Sequence, residues 1–471
     1  MSGIIGIFSK EACDVASSIY YGLFALQHRG QESCGIAVND DGVFRTFRDN
    51  GLVNDVFTPN RLSDLGLGNM ALGHVRYGAE GRNNRTYAQP LVINHIKGNM
   101  AVAHDGKLTN SQEIREELEL CCSIFHTTSE SEVISYIVTK ERLSTNSIED
   151  AVNNAMNKLK GAYSMCIMSP SKIVAVRDAN GFHSMCYGER EDGTYIVASE
   201  SCALSAVGAT FVRDLEPGEI VVFSKDGVRS ITDHCNTVKK SMCVFEYVYF
   251  ARPDSISDGC SVHEARARAG AFLAQENKVD ADIVIGVPDS GLDAAIGYAR
   301  ESGIPYGIGF LKNKYIGRTF IAPGQAARED KVRIKLNVIS SVVKGKRVVM
   351  IDDSIVRGTT CKKIVKLLRD AGASEVHVRV TAPPFIAPCH YGTDIDDKEA
   401  LIACNYTHDE ICDIIGADSL GFLTMEHVLQ IAQGEKCTGF CVGCFNEQYP
   451  TEVPKTKYKN KFQEKISDKK A

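Results

Sequence analysis

No stretch of the sequence approaches the roughly 20 consecutive apolar residues that span a bilayer, so a helical membrane protein is excluded from the reading. A basic, apolar leader is also missing from the start, Met1-Ser-Gly-Ile-Ile-Gly-Ile-Phe8, and the expectation is a cytoplasmic protein. Positive charge is not in surplus: 53 Lys and Arg stand against 59 Asp and Glu, a formal net charge of -6, which leaves no electrostatic footprint for nucleic acid. Internal repeats and low-complexity tracts are absent. Without a secretion signal, the 17 cysteines read as thiols and metal ligands rather than as a disulfide framework, most of them simply small buried apolar residues.

What is present is ordinary globular composition, 44% apolar and 24% charged, over 471 residues. That length is too great for one hydrophobic core and comfortable for two. The first 230 or so residues alternate short β-branched runs with turns, as in Met100-Ala-Val-Ala-His-Asp-Gly106 and Ile173-Val-Ala-Val-Arg-Asp178. Helical stretches run from Ala16 to Gln27 and from Ser131 to Glu141, a mix compatible with stacked antiparallel sheets covered by helices. Beyond about Cys243 the texture becomes strand, loop, helix, twice over. Asp282-Ile-Val-Ile-Gly-Val287 leads through a turn to a helix at Leu292–Ser302, and Lys346-Arg-Val-Val-Met-Ile-Asp-Asp353 leads to one at Lys362–Ala371. This predicts a parallel α/β sheet with its site at the strand C-terminal ends. The predicted division is residues 2–235, residues 236–454, and a Lys-rich flexible tail at 455–471.

The chemistry concentrates in Val348-Val-Met-Ile-Asp-Asp-Ser-Ile-Val-Arg-Gly-Thr-Thr360. A buried strand delivers Asp352 and Asp353 to its tip and passes into a loop of small residues that opens a helix. Backbone N–H groups there can cradle a phosphate, with the Thr359 and Thr360 hydroxyls as added donors. The two acids suit ribose hydroxyls or a Mg²⁺ ion shared with a diphosphate. A bare Asp-Asp pair reads first as a helix cap, and Gly286-Val-Pro-Asp-Ser-Gly291 alone is a turn. Between them, Lys312 to Arg328 is too polar for a core element. It is either a solvated loop or a lid that closes over a charged substrate and excludes water.

The full string resembles the phosphoribosyl pyrophosphate signature of phosphoribosyltransferases. The resemblance implies contacts of Asp352 and Asp353 with ribose and Mg²⁺, a phosphate loop at Ser354, Arg357, Gly358, Thr359 and Thr360, and a pyrophosphate loop at Asp289 and Ser290, with Ser290 on the metal side. Lys314-Tyr-Ile-Gly-Arg-Thr-Phe-Ile321 and Glu246-Tyr-Val-Tyr-Phe-Ala-Arg-Pro-Asp-Ser255 narrow the likeness to the glutamine phosphoribosylpyrophosphate amidotransferases, over nearly the whole chain, and bring Lys314, Tyr315 and Arg318 into the lid.

Cys441-Val-Gly-Cys444 offers two thiolates at metal-binding spacing. The resemblance adds Cys243 and Cys389 and implies a structural 4Fe-4S cluster, with zinc at the same four positions as the alternative. Cys437 falls outside that pattern.

At the other end, Phe24-Ala-Leu-Gln-His-Arg-Gly-Gln-Glu-Ser-Cys-Gly-Ile36, Gly73-His-Val-Arg-Tyr-Gly78 and Ala103-His-Asp-Gly-Lys-Leu-Thr-Asn110 look like landmarks of an N-terminal-nucleophile glutaminase. The implied architecture is a four-layer αββα domain joined to a type I phosphoribosyltransferase domain. In such glutaminases a Cys exposed by removal of Met attacks the glutamine amide, aided by its own α-amine. Arg76 matches the glutamine-carboxylate clamp, and Gly106 the backbone donor of the oxyanion hole. Three positions depart. Ser2 stands where the Cys belongs, Asp105 replaces an oxyanion-hole Asn, and Glu130 replaces the Asp that receives the glutamine α-amine. A serine hydroxyl ionises far less readily than a thiol, and an ionised carboxylate cannot donate to an oxyanion.

The expectation is amidophosphoribosyl transfer from glutamine to phosphoribosyl pyrophosphate, the first step of purine synthesis, with an impaired glutaminase half. The alternatives are a paralogue using ammonia or another amine, a silent regulator that binds phosphoribosyl pyrophosphate or nucleotides, and a redox sensor built on the cysteines. The resemblance also implies a homo-oligomer, tetramer or dimer, and purine nucleotides as inhibitors.

Overall fold

The computed structural model describes residues 1–78, 85–313, 336–395, 397–434 and 436–454. The lid residues Lys314, Tyr315 and Arg318 and the tail 455–471 lie outside them. Among the described residues the first half has thirteen strands: β1 (Gly3–Cys13), β2 (Ser33–Asp40), β3 (Val43–Asn50), β4 (Gly68–Arg76), β5 (Leu91–His95), β6 (Gly98–Asp105), β7 (Ser164–Met168), β8 (Ile173–Arg177), β9 (Cys186–Glu189), β10 (Tyr195–Ala198), β11 (Thr210–Asp214), β12 (Ile220–Ser224) and β13 (Gly227–Ile231). They form two antiparallel sheets, ordered β11-β9-β10-β1-β4-β2-β3 and β13-β12-β8-β7-β6-β5.

Side chains from the inner faces of both sheets, among them Phe8, Leu72, Ala101, Cys166 and Phe223, share one buried core. The outer face of the first sheet packs on the helix Val15–Ala25 through Ile19 and Leu23. That of the second packs on the helices Glu130–Ser144 and Ile148–Met156 through Ile134, Val138 and Val152. Central strands such as β7 are buried along their whole length because both faces are covered, which is why they read as apolar runs rather than alternations. This is the four-layer stack implied above.

The second half carries β14 (Met242–Cys243), β15 (Ile256–Ser257), β16 (Cys260–Ser261), β17 (Ile283–Gly286), β18 (Phe310–Lys312), β19 (Leu336–Val338), β20 (Arg347–Asp352), β21 (Glu375–Val380), β22 (Ser419–Phe422) and β23 (Phe440–Cys441). Its main sheet is parallel, ordered β17-β20-β21-β22. The helices Val262–Glu276 and Gly291–Ser302 lie on one face. The helix Thr359–Asp370 covers the other through Cys361, Ile364, Val365 and Leu368, an i, i+3, i+4, i+7 stripe. Gly270 and Gly297 let the first two helices touch backbone to backbone, since a Cβ at either would overlap a carbonyl oxygen of the other helix. β18 and β19, which flank the lid sequence, pair antiparallel, Lys312 opposite Leu336.

Candidate active site

The tip of β20 places Asp352, 7% exposed, beside Asp353. The Asp353 N–H donates to Asp352 Oδ1 at 2.9 Å, and the Ser354 and Ser290 hydroxyls each donate to Asp353 at 2.5 Å. Ser290 comes from the neighbouring strand end, where it precedes the helix Gly291–Ser302. The pyrophosphate-loop and signature residues predicted from sequence thus converge. Asp289 leans outward to pair with Lys312. Gly358 has left-handed backbone, φ 74°, and turns the chain into the helix Thr359–Asp370, whose first turn holds no acid. Arg357, Thr359 and Thr360 are exposed there, so the predicted phosphate cradle is open to a ligand.

Burial, then the charge of Asp353, push Asp352 well above the usual carboxylate range; burial likewise raises Asp353 against the opposing donors Ser290 and Ser354. Two buried acids side by side call for a cation. No group of three or more His, Cys, Asp or Glu among the described residues is gathered around a single-ion point. Mg²⁺ is commonly held by one or two carboxylates, with water and substrate phosphate filling the octahedron.

The donor side is organised by Arg29, a residue that sequence reading quoted within a landmark but did not single out. Its fully buried guanidinium donates to Glu200 at 2.7 Å and to Glu246 at 2.8 and 3.0 Å, lies 3.4 Å from Asp105, and donates through Nε to the Ser2 carbonyl oxygen at 2.8 Å. Glu246 belongs to the second half and also lies 3.4 Å from His183. Asp105, 2% exposed, accepts the Ser2 N–H at 2.5 Å. Burial would raise Asp105, but His183, the N-terminal ammonium and Arg29 outweigh it and bring it down to about 2. Burial alone would lower His183; Asp105 and Glu246 reverse that. Asp105 is therefore held as an anion by the cations around it.

Ser2 is buried and its Oγ accepts the Tyr77 N–H at 3.3 Å. The α-amine of Met1 donates to Gly392 O at 3.2 Å. Gly106 has φ 117°, and a Cβ there would run into the Ala162 carbonyl oxygen. Glu130 opens the helix Glu130–Ser144; its carboxylate accepts the Leu108 N–H at 2.9 Å and stands 3.7 Å from His104. Arg76 ends β4 with its guanidinium 5.3 Å from the Tyr87 ring centre.

The four predicted cysteines meet. Parallel pairing of β14 with β23 sets Cys243 opposite Cys441, and Cys389 and Cys444 complete a cavity walled by Phe245, Phe385, Tyr391 and Tyr449. Burial, reinforced by the neighbouring thiols, pushes Cys243 and Cys444 well above the ordinary thiol range, and burial brings Cys441 to about 12. All four cysteines line this one cavity.

Models of two domain families match the chain, the glutamine amidotransferase domain over residues 79–206 and the phosphoribosyl transferase domain over residues 261–407. The pairing defines an amidotransferase coupled to phosphoribosyl chemistry. The amidophosphoribosyltransferase of Methanocaldococcus jannaschii is 47% identical, covering 96% of this chain and 98% of its own; that of Bacillus subtilis is 44% identical, covering 96% and 94%. The solved Bacillus subtilis glutamine phosphoribosylpyrophosphate amidotransferase, complexed with ADP and GMP, superposes with a TM-score of 0.88 at 44% identity over 96% of this chain and 98% of that one. The chain belongs to the amidophosphoribosyltransferase family. No helix among its described residues is long and apolar enough to cross a membrane.

Proposed function

We propose that residues 236–454 bind phosphoribosyl pyrophosphate with Mg²⁺ and transfer an amino group to C1 with inversion, releasing pyrophosphate and 5-phosphoribosylamine, the first step of purine synthesis in the cytoplasm. One arrangement carries this reading. Two buried acids at a strand tip, Ser290 hydrogen-bonded to one of them, face an open helix N-terminus one loop away. Thr359, Thr360 and the helix N–H groups hold the 5′-phosphate, Asp352 and Asp353 the ribose, and Ser290 the pyrophosphate side. Bound Mg²⁺ would offset the charge of the departing diphosphate. Lys314, Tyr315 and Arg318 form the lid in this reading. The cavity of Cys243, Cys389, Cys441 and Cys444 is assigned to a structural 4Fe-4S cluster, supported by the enclosed space among the thiols. A homo-oligomer and inhibition by purine nucleotides belong to the same proposal; the relative solved with ADP and GMP supports the latter.

The donor half, residues 2–235, is where this chain parts from its family's chemistry. Ser2 is a weaker nucleophile than Cys, and an ionised Asp105 repels a developing oxyanion. We infer that glutamine is served poorly and that ammonia reaches the transferase site as the more effective donor. Pyrophosphate release measured with glutamine and, separately, with ammonium at high pH tests both parts. Release with ammonium well above that with glutamine is expected; no release with either donor would sink the transferase assignment, and equal rates would sink the donor inference.

A further inference from the structure

Arg266, on the helix Val262–Glu276, is 4% exposed. Its guanidinium reaches across to a single π-helical turn, Glu246–Phe250. Nε donates to Tyr247 O at 2.8 Å, and Nη2 donates to Tyr249 O at 3.0 Å and to Ala251 O at 2.7 Å. A turn this short cannot satisfy its own last carbonyl groups, so the fork supplies what the local backbone lacks. The turn is held from the donor side as well. Glu246 at its start accepts from Arg29, and just beyond its end the Arg252 N–H and the Ser255 hydroxyl donate to Glu200 at 2.9 and 2.8 Å.

The remaining edge of the guanidinium faces the phosphoribosyl pocket. Nη1 stands 3.9 Å from Asp293 Oδ2, a buried oxygen that accepts no hydrogen bond, while Asp293 Oδ1 meets His263 Nδ1 at 2.8 Å. Asp293 lies in the first turn of the helix Gly291–Ser302, three residues after Ser290, whose hydroxyl donates to Asp353. There is little slack here: a Cβ at Gly291 would come 2.5 Å from the Ile351 carbonyl oxygen, in the strand that ends at Asp352. Burial lowers Arg266 from its ordinary value against the pull of Asp293 first, then Asp353, Glu200 and Asp289, so carboxylates of both pockets feel the one charge.

We propose that Arg266 is a positioning residue for the pyrophosphate end of the substrate: its fork fixes the paired helices against the 246–251 turn, and its pairing with Asp293 sets where Ser290 stands. This rests on the reading that Ser290 meets the pyrophosphate. Without the fork, the carbonyl groups turn to water and the helix that begins at Gly291 relaxes, carrying the Ser290 hydroxyl away from Asp353. The 5′-phosphate end is spared, because Thr359 and Thr360 open a helix on the opposite face of the sheet.

Calorimetric titration of the full-length protein with magnesium pyrophosphate and, separately, with ribose 5-phosphate distinguishes the two ends. Arg266→Met keeps most of the side-chain volume and removes the fork; Asp293→Asn keeps the shape of the carboxylate and removes its charge. Each is expected to weaken pyrophosphate binding about tenfold, the double substitution no further than the worse single one, and ribose 5-phosphate binding by less than about twofold in all three. Equal weakening of both ligands would mark Arg266 as general scaffolding and overturn the proposal. Pyrophosphate affinity unchanged in Asp293→Asn would overturn it too, and that variant decides the matter should Arg266→Met not fold. Unaltered protein that binds neither ligand would instead sink the transferase reading, and the proposal with it.

Discussion

The two pockets of this protein each centre on buried aspartates, and the fold shifts their acidities in opposite directions. Asp105 is brought down to about 2 by His183, the N-terminal ammonium and Arg29 despite its burial. Burial pushes up Asp352 and Asp353, the charge of Asp353 raising Asp352 further, while Ser290, Ser354 and Arg266 oppose the rise of Asp353 without cancelling it. The donor pocket has already satisfied its own charge. The phosphoribosyl pocket has left a charge to be satisfied by what binds. A carboxylate is therefore a ligand site or a lock according to whether the fold supplies its counter-ion.

The sharpest way to break the contrast is to remove the lock's cation. Arg29→Ala would leave Glu200, Glu246 and Asp105 buried without it, and denaturant unfolding should show a loss of about 3–5 kcal/mol. On the open side, Asp352→Asn should lower ammonium-dependent pyrophosphate release by about 10²–10³-fold at saturating Mg²⁺, as for removal of one preorganised electrostatic partner. Unlocking the donor side with Ser2→Cys and Asp105→Asn together should raise glutamate release from glutamine by about 10²-fold, with the ammonium-dependent rate as internal control. Glutamate release unchanged by the double substitution would mean the pinned anion is not what holds the pocket back.

The smallest effect is in pH. The raised acids at Asp352 and Asp353 must lose their protons to take a cation, so Mg²⁺ and phosphoribosyl pyrophosphate should bind more tightly as pH rises through their titration, by at most about tenfold per unit per proton displaced. Calorimetric titration across neutral pH reads this directly, and Asp352→Asn should flatten the slope.

Much of this was legible in the sequence where one segment carries the whole feature. The apolar run at residues 348–351 became the buried strand β20, and the predicted helix at 362–371 begins at Thr359 because Gly358 turns the chain there. The helices predicted at Ala16–Gln27 and Ser131–Glu141 appear at Val15–Ala25 and Glu130–Ser144, shifted only at their ends, where caps rather than periodicity decide. The Arg29 network was hidden because its partners lie 171 and 217 residues away and no local pattern announces a pair at that distance. Cys437 read as a bystander because the turn its thiol rests on, at Asp258, is 179 residues away, and thiols declare their neighbours only once the chain has folded.

The loop that supplies Cys389 also roofs the pocket around Met1 and Gly106. Its Tyr391 carbonyl oxygen meets His183 at 3.0 Å, its ring stacks on Phe182 at 4.1 Å, and a Cβ added at Gly392 would come 3.3 Å from the Gly106 Cα. Neither half can be discarded without stripping a wall from the other. A chain of this design can lose the chemistry of its first half and still be obliged to inherit it, as masonry.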